Sequence, residues 1–465
     1  MTTQTIVFHD ARVLDPGNGV DRVGDLLVRD GHIVHADPAD ADGALHIDCH
    51  GLVLAPAFID LHCHLREPGY ETKETIASGT AAAAAGGFGT VCCMPNTDPA
   101  IDSVEHLGVL RRRLSGSARV RVLPIAAVTL GRKGATTVDF RALAGRGVVG
   151  FSDDGDYVGS ADVMRGALEA CRPLGLPVID HAQDGGMVAG GVMHEGEVSR
   201  RLGLPGMPAA AEDVAVERDI ALARLTGGHV HIAHITTAAA VDMVKRARDG
   251  GVRVTAEGTP HHMMLTDADA MSRGSDGAAR FNALAKVNPP LRTAGDAAAV
   301  VRGLADGTVD AIATDHAPHA AADKAGSPDR VAFGISGFET ALAVMLTLSE
   351  QGPLTLTQIV RCLTAGPAAV LGRNAPAFGL LPGRPAELVL FDAETRWTVE
   401  GAKFVSMGKN SAFEGRRLRG RVLATYVNGC CVYCSGDLAS RCTGGALSVS
   451  QPASSGLLQP HPNAE

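Results

Sequence analysis

Two histidines one residue apart, His62 and His64, stand where the apolar run of the stretch FIDLHCHLREPG ends. Side chains at positions i and i+2 of a strand point to the same side, so the two imidazoles share a face while Cys63 points away. Two neighbouring neutral imidazoles are suited to bind a divalent metal ion. The alternative is a pair of surface or hydrogen-bonded histidines, and these residues alone do not decide between the two.

Polar side chains that could bind a metal ion or a substrate also follow other apolar runs. They are Asn96 after TVCCMP, Asp153 and Asp154 in VVGFSDD, His181 in LPVIDHA, His234 in HVHIAHIT, and Asp315, His316 and His319 in VDAIATDHAPH. Eight apolar runs alternate with segments of helical composition, which indicates a (β/α)8 barrel of the TIM type. All strand carboxyl ends of such a barrel open on one face, so these distant residues are predicted to converge there.

The predicted metal ligands are four histidines and two aspartates: His62, His64, His181, His234, Asp154 and Asp315. Six ligands are too many for one tetrahedral zinc ion with an open position, but they suit two ions that share a bridge. Nitrogen and oxygen ligands without cysteine favour zinc, with cobalt or manganese as substitutes. Paired ions also lower the pKa of bound water, so that hydroxide is available near neutral pH.

The barrel is predicted to lie between two segments that are rich in short strands. Residues 1–56 and 380–435 together predict one small β-sandwich domain built from both chain ends, with the barrel over residues 57–379. Asp30-Gly31 and Asn428-Gly429 are typical of tight hairpin turns. After residue 435, Ser, Gly and Pro are frequent and no period is sustained, so residues 436–465 are predicted to be a mobile tail.

Composition restricts the class of protein. The chain has 465 residues and a net charge of −9, which argues against a nucleic-acid surface. Its start lacks a secretory signal pattern, and no apolar run has the length of a membrane helix. Most of the ten cysteines lie in apolar runs, as expected for reduced thiols in a cytoplasmic protein. Cys431 and Cys434 have a zinc-like spacing but no second pair, so we expect neither a zinc nor a redox site there.

Several longer motifs are similar to those of one known family. DLHCHLREPG, CMPNTDP, FSDDG, KVNPPLR, IATDHAPH and FGISGFET together resemble the amidohydrolase superfamily and, within it, the bacterial class I dihydroorotases. The resemblance covers nearly the whole barrel. It implies the reversible cyclisation of N-carbamoyl-L-aspartate to L-dihydroorotate in pyrimidine biosynthesis, at a binuclear zinc centre (two Zn²⁺ per subunit) with a bridging hydroxide.

The resemblance also implies a role for individual residues. His62, His64 and Asp315 would bind one metal ion and His181 and His234 the other, with Asp154 as the bridging carboxylate and Asp315 as the catalytic acid and base. Substrate contacts are implied for His64, Arg66, Asn96, Asn288, His319 and the backbone of Phe333 and Gly334. A guanidinium matches a carboxylate bidentately, which suits Arg66 to the carboxylate of dihydroorotate. Asn96 and Asn288 each adjoin a proline, so turn formation is the alternative for both.

Two other functions were weighed. A cyclic amidase of the allantoinase or hydantoinase type would bridge its metals with a carboxylated lysine from strand four, but no lysine follows VVGFS. An inactive homologue acting as a scaffold for aspartate transcarbamoylase would lose metal ligands, and all six are present. We expect a small-molecule substrate and neither nucleic acid nor membrane as partner. A homodimer, an association with aspartate transcarbamoylase and the role of a predicted surface insertion over residues 271–283 stay open.

Overall fold

Both ends of the chain contribute strands to one sheet. The computed structural model describes residues 5–35, 43–274, 276–372, 379–445 and 447–452. Nine strands form the sheet: Thr5–Asp15, Val20–Arg29, His32–Val34, Leu45–Asp48, Val53–Pro56, Leu388–Thr398, Arg417–Val427, Cys430–Cys434 and Cys442–Thr443. Val53–Pro56 runs antiparallel to the start of Leu388–Thr398, and this pairing joins the two chain ends. The predicted small β domain built from both ends is confirmed.

The two predicted hairpin turns are present in this domain. Asp30 and Gly31 connect Val20–Arg29 to His32–Val34, with φ angles of 49° and 77°. Asn428 and Gly429 connect Arg417–Val427 to Cys430–Cys434, with φ angles of 49° and 75°. Two consecutive left-handed residues are what a two-residue hairpin turn requires, and Asp, Asn and Gly adopt this conformation most readily.

Eight parallel segments close into a barrel, as predicted. Seven are strands: Phe58–Cys63, Phe88–Cys93, Arg121–Pro124, Val178–Asp180, Val230–Ile232, Val254–Gly258 and Ala311–Ile312. The fourth segment is shortened to Phe151, which bridges Ala126 on one side and Val178 on the other. The eighth strand returns to the first where the N–H of His64 donates to the carbonyl of His316 over 2.9 Å. All eight carboxyl ends therefore surround one opening.

Helices lie between the barrel strands and at the chain connections. They are Ile76–Ala85, Val104–Ser117, Phe140–Ala144, Ala161–Cys171, Gly185–Val188, Glu197–Leu202, Ala210–Thr226, Ala238–Asp249, Pro260–Met264, Ala294–Asp306, Ala341–Ser349, Leu356–Leu363 and Ala365–Val370. The alanine-rich first helix begins after Thr75, whose side chain accepts from the N–H of Ser78, and ends at Gly86. Its alanines at positions 82–84 are fully buried, so the helix lies close to the barrel.

Two segments that were singled out in the sequence have defined structure. The predicted insertion contains a hairpin of Met271–Arg273 and Ala279–Phe281, and Phe281 packs beside Val192 and Met193. The prediction that the chain becomes a mobile tail from residue 436 is wrong for its first part. Gly436–Arg441 forms a 3-10 helix with Leu438 buried, and Cys442–Thr443 pairs with Leu45–Asp48. The buried Leu438 and the pairing of Cys442–Thr443 hold this stretch against the small domain. Residues 446 and 453–465 lie outside the described residues.

Two further sequence predictions concern membranes and thiols. Of the helices described above, none is both long enough and apolar enough to cross a bilayer. All ten cysteines lie within the described ranges, and all are free thiols.

Candidate metal centre and substrate site

Four histidines surround one carboxylate at the opening of the barrel. Oδ1 of Asp154 lies 3.3 Å from Nε2 of His62, 3.6 Å from Nδ1 of His181 and 3.6 Å from Nε2 of His234. Its other oxygen, Oδ2, lies 3.6 Å from Nε2 of His64. Asp154 is 2% exposed. The carboxylate therefore stands between the histidine pair of the first strand and the pair from strands five and six.

Asp315 completes the cluster on the side of the first strand. Its Oδ1 lies 3.0 Å from Nε2 of His64 and 3.6 Å from Nε2 of His62. Burial alone would raise the pKa of Asp154 and of Asp315, but the neighbouring imidazoles lower both values below their ordinary range. Both carboxylates are therefore anionic at neutral pH. The structure thus brings together all six side chains that were predicted as ligands.

Two atoms at the centre of this cluster lack a hydrogen bond. Nε2 of His62 and Oδ1 of Asp154 are buried, and among the described residues neither has a hydrogen-bond partner. Buried polar atoms are normally satisfied, so such a pair points to a group that is bound between them. Two donor sets, His62 with His64 and Asp154, and Asp154 with His181 and His234, each bring three ligand atoms within 4.8 Å of one another. These nitrogen and oxygen donors fit divalent metal ions.

Other side chains fix which nitrogen of His62 and of His64 faces the cluster. Nδ1 of His62 lies 2.8 Å from Oε1 of Glu257, and Nδ1 of His64 lies 2.9 Å from Oδ1 of Asn96. Both partners are acceptors, so Nδ1 carries the proton and Nε2 presents its lone pair to the centre. Such outer partners orient metal-binding histidines. Asn96 was predicted as a substrate contact, and its oxygen has this additional role.

The imidazole of His181 is held from its other side by two amides. Its Nε2 lies 3.1 Å from Nδ2 of Asn288 and 3.4 Å from Oε1 of Gln183. Asn288, a predicted substrate contact, thus adjoins a predicted metal ligand. The carbonyl oxygen of Gln183 can accept the proton of this nitrogen, which leaves Nδ1 free to face Asp154.

The neighbouring aspartate of the FSDDG motif faces elsewhere. Oδ1 of Asp153 accepts from the N–H groups of Val128 and Thr129 at 2.9 and 3.0 Å, and Oδ2 accepts from Oγ1 of Thr129. Adjacent side chains alternate in extended backbone, which accounts for the different directions of Asp153 and Asp154. Asp153 therefore ties the fourth barrel segment to the end of the third.

Three residues of the site have left-handed backbone although they are not glycine. The φ angles are 61° for Arg66, 31° for His234 and 44° for Asp315. Each such residue costs about 1–3 kcal/mol and persists only where the surrounding structure enforces it. Residues of this kind cluster at functional sites, which supports the barrel opening as the site of chemistry.

A cavity of about 160 Å³ opens beside the cluster. Its lining consists of His64, Arg66, Asn96, Asp154, Gly155, His181, His234, Asn288, Asp315, Ala317, Phe333 and Gly334. Six of the seven predicted substrate contacts are in this lining. The exception is His319, which stands behind it: its Nε2 lies 2.7 Å from the carbonyl of Phe333 and 3.4 Å from Nη2 of Arg66. Burial and the neighbouring cations lower the pKa of His319 to about 3, so it is neutral.

The Gly334 peptide is engaged within the protein. Its N–H donates to the carbonyl of Lys286 over 2.9 Å, and its carbonyl accepts from Nζ of Lys324 at 3.0 Å and from Nδ2 of Asn410 at 3.1 Å. Its φ angle is +122°, and a Cβ added there would lie 2.6 Å from Cβ of Ala317. Gly334 thus shapes the cavity wall with its backbone, while its polar groups are already bonded.

Sequence analysis missed Glu257, His231, Lys324 and Asn410. Glu257 and His231 share a hydrogen bond of 3.1 Å between neighbouring strands. Strand alternation could have placed Glu257 on the inner face, since it ends the apolar run VTAEG. Lys324 ends the short 3-10 helix Ala321–Lys324 and Asn410 lies in a loop, and neither element is long enough for a periodic pattern to indicate which side chain points inward.

Comparison with known proteins identifies related chains. The model of the family described as Dihydro-orotase-like matches residues 51–240. A dihydroorotase of Anaeromyxobacter sp. (strain K) is 45% identical over 432 residues, covering 92% of this chain and 97% of the relative. A dihydroorotase of Pelotomaculum thermopropionicum is 46% identical over 427 residues, covering 91% and 97%. That of Geobacter sp. (strain M21) is 43% identical, covering 93% and 100%.

Solved structures with the same fold come from cyclic amidases. The L-hydantoinase (dihydropyrimidinase) from Arthrobacter aurescens superposes with a TM-score of 0.80 at 22% identity, covering 93% of this chain and 97% of that one. The dihydropyrimidinase from Brevibacillus agri NCHU1002 gives a TM-score of 0.79 at 21% identity, covering 92% and 95%. At this identity the likeness concerns the fold, and it confirms a barrel with a small β domain.

Proposed function

The chain belongs to the dihydroorotase family of metal-dependent cyclic amide hydrolases, and from this we propose that it interconverts N-carbamoyl-L-aspartate and L-dihydroorotate. The observation that carries the proposal is the position of Arg66 in the wall of the cavity that also exposes Asp154 and Asp315. A guanidinium beside a metal-competent cluster suits a cyclic amide that bears a carboxylate. A hydantoin ring without a carboxylate would leave this cation unpaired, which is unfavourable in a half-buried site.

For the metal centre we propose two zinc ions per subunit. His62, His64 and Asp315 would hold one ion, His181 and His234 the other, and Asp154 would contact both. The unpartnered atoms of His62 and Asp154 support this assignment, as does the arrangement of donors around Asp154. When bound, such ions supply a Lewis acid for the scissile carbonyl and lower the pKa of water.

Asp315 is proposed as the proton carrier. In the direction of hydrolysis it accepts a proton from the attacking water and delivers it to the amide nitrogen as the C–N bond breaks. Oδ1 of Asp315 lies 3.0 Å from Nε2 of His64, and the neighbouring imidazoles lower the pKa of Asp315 despite its burial, so the carboxylate is ionised and ready to accept. In the direction of cyclisation the same carboxylate carries the proton back, and water leaves. General acid–base catalysis of this kind typically contributes about 10²–10⁴-fold.

Substrate orientation is proposed to depend on Arg66, Asn96 and Asn288. Arg66 would pair with the carboxylate of the ring, while its Nε remains held by the carbonyl of Pro318 at 3.2 Å. Asn96 keeps its Nδ2 for substrate because its Oδ1 is occupied by His64. Asn288 can offer Oδ1, which has no hydrogen-bond partner among the described residues.

One assay tests the proposal. Formation and hydrolysis of dihydroorotate would be followed in the ultraviolet, with hydantoin and dihydrouracil as carboxylate-free competitors. Metal content would be measured by elemental analysis on the same sample. We expect turnover of dihydroorotate in both directions with about two zinc ions per chain, as a two-metal site requires. Preference for a carboxylate-free ring would contradict the proposal.

The free thiols of all ten cysteines support a cytoplasmic location, which we also propose.

A further inference from the structure

A segment of the small domain crosses to the barrel and is bound there by two acidic side chains. This segment, residues 401–416, connects the strands Leu388–Thr398 and Arg417–Val427. The carboxylate of Glu339 accepts from the N–H groups of Val405 and Ser406 at 2.9 and 3.1 Å. Glu74, which is fully buried, accepts from Oγ of Ser406 and from the N–H of Met407. The segment is therefore attached firmly where it reaches the barrel opening.

Asn410, at the far end of these contacts, bonds two parts of the substrate site at once. Its Oδ1 accepts from the N–H of His319 over 3.1 Å, and its Nδ2 donates to the carbonyl of Gly334 over 3.1 Å. Its own carbonyl accepts from the N–H of Ser336 over 2.9 Å. Asn410 is 5% exposed, so these bonds are shielded from water. The oxygen and the nitrogen of this one side-chain amide therefore bond two different elements of the cavity wall.

The residues that Asn410 joins are linked to Arg66. Nε2 of His319 donates to the carbonyl of Phe333 over 2.7 Å, and the carbonyl of the preceding Pro318 accepts from Nε of Arg66 over 3.2 Å. A shift of the His319 backbone would therefore move both the side chain that bonds Phe333 and the carbonyl that holds Arg66. Lys324 supplies a second donor to Gly334, but its other hydrogen bonds are to the carbonyls of Lys286 and Ala332 rather than to the loop of His319, so it does not fix the distance between the two elements.

We propose that Asn410 is a positioning residue for the substrate: it sets the spacing between the loop of His319 and the Phe333–Gly334 backbone, and so makes the small domain part of the substrate site. The inference rests on the proposed function, because it regards Arg66 and the backbone of Phe333 as substrate contacts. It predicts an effect on substrate binding that is separate from metal binding, because Asn410 contacts none of the six candidate ligands.

Two substitutions separate the halves of the amide. Asn410→Ala removes both bonds. Asn410→Asp keeps an acceptor for the N–H of His319, but it replaces the donor to the carbonyl of Gly334 with a carboxylate oxygen that repels it. Losing buried hydrogen bonds of this kind should raise KM about tenfold or more, with kcat within about threefold of wild type. Asn282→Ala is the matched control, since Asn282 also bonds backbone through both ends of its amide, to Asp269 and Leu284. Its KM should stay at the wild-type value.

Two readouts accompany the kinetics. Elemental analysis should find the metal content of both Asn410 variants unchanged. Hydrogen–deuterium exchange should become faster in the peptide over residues 318–336 for both Asn410 variants and stay unchanged in Asn282→Ala. A KM at the wild-type level in both Asn410 variants, or an equal fall in kcat and loss of metal, would overturn the inference. So would an Asn410→Asp variant that behaves as wild type.

Failure of the proposed function gives a different result. In that case the wild-type protein itself would not turn over dihydroorotate. The Asn410 variants would then be compared on the cyclic amide that wild type does accept, with the same exchange measurement. A rise in KM together with faster exchange over 318–336 supports positioning by Asn410, and unchanged values for both contradict it, whichever ring is the substrate.

Discussion

Nδ1 of His62 donates to Oε1 of Glu257 over 2.8 Å, and both residues are completely buried. The other oxygen of Glu257 lies 3.1 Å from Nε2 of His231. Burial would raise the pKa of Glu257, but these two hydrogen bonds lower it to about 2. A permanent anion therefore stands behind the first candidate ligand, fixes its tautomer and increases the basicity of Nε2.

Replacing Glu257 by Gln should weaken metal binding while preserving the shape of the site. The amide can accept from only one of its two histidine partners, so the orientation of His62 is no longer enforced. Loss of such an outer partner typically costs 10–100-fold in metal affinity, which competition with a chromogenic chelator would measure. Glu387→Gln is a matched control, because Glu387 is also buried but pairs with Arg121. It should lower stability and leave metal affinity unchanged.

Asp154 and Asp153 should differ sharply although they are neighbours. Asp154→Ala removes the carboxylate between the histidine pairs and should lose at least one metal ion per chain. Asp153→Ala breaks bonds to Val128 and Thr129 and should keep both ions with a smaller loss of rate. Metal content and turnover decide the ranking.

The assignment of Asp154 as the bridging carboxylate also predicts how activity returns after metal removal. An aspartate needs no carbon dioxide to become a carboxylate, unlike a lysine bridge. Metal-stripped protein should therefore regain activity with zinc alone in bicarbonate-free buffer, and a strict bicarbonate requirement would contradict Asp154 as the bridge.

Asp315→Asn should nearly abolish turnover. The amide cannot carry a proton and is a poorer ligand, so a loss of about 10²–10⁴-fold in kcat is expected. Single-turnover rates with metal content on the same sample would separate lost chemistry from lost metal. A variant with normal kcat would exclude Asp315 as the proton carrier.

Arg66→Met should impair binding of the carboxylate rather than metal binding. The substitution keeps an unbranched apolar stem but removes the guanidinium fork that matches a carboxylate, so KM for dihydroorotate should rise at least tenfold. Arg113→Met serves as the control, because Arg113 pairs with Glu67 and Glu71 on the surface. An unchanged KM in Arg66→Met would show that the substrate assignment is wrong.

Lys324 should make stability depend on pH. Burial lowers its pKa to about 7, whereas an unfolded lysine titrates near 10.4. Between these values the unfolded chain holds a proton that the folded protein has released, so the free energy of unfolding should rise with pH.

Urea unfolding of wild type and Lys324→Met at pH 7 and pH 9.5 would measure this contribution as a difference. The free energy of unfolding of wild type minus that of Lys324→Met should increase from pH 7 to pH 9.5. The exposed Lys245, whose pKa is raised by its hydrogen bond to Asp306, should show no such growth when replaced by Met. A constant difference for Lys324→Met would contradict the prediction.

Strand ends were the part of the site that the sequence could predict. A barrel brings all carboxyl ends to one opening, so His62, His181 and Asp315 could be assigned to one place without knowledge of side-chain positions. The motifs that resemble a family supplied the role of each residue. Neither source could show that His319 stands behind the cavity wall, because that depends on how its loop folds.

Loop contacts and the end of the small domain were beyond sequence reasoning. Asn410 acts over a sequence separation of 91 residues to His319, and no local pattern indicates such a partner. The stretch after residue 435 was predicted to be mobile from its composition. Composition averages over a segment, whereas one buried leucine and two strand residues decide whether it is anchored.

The pairing of Val53–Pro56 with Leu388–Thr398 also sets an order of events during synthesis. Val53–Pro56 leaves the ribosome more than 300 residues before its partner strand Leu388–Thr398. At about 5–20 residues per second, this edge waits roughly 20–70 seconds with its backbone groups unpaired. Asn410 is made later still, so a nascent barrel could collect metal before its substrate site is complete. The growing chain therefore carries an unpaired sheet edge for most of its synthesis, and such edges are prone to edge-to-edge association.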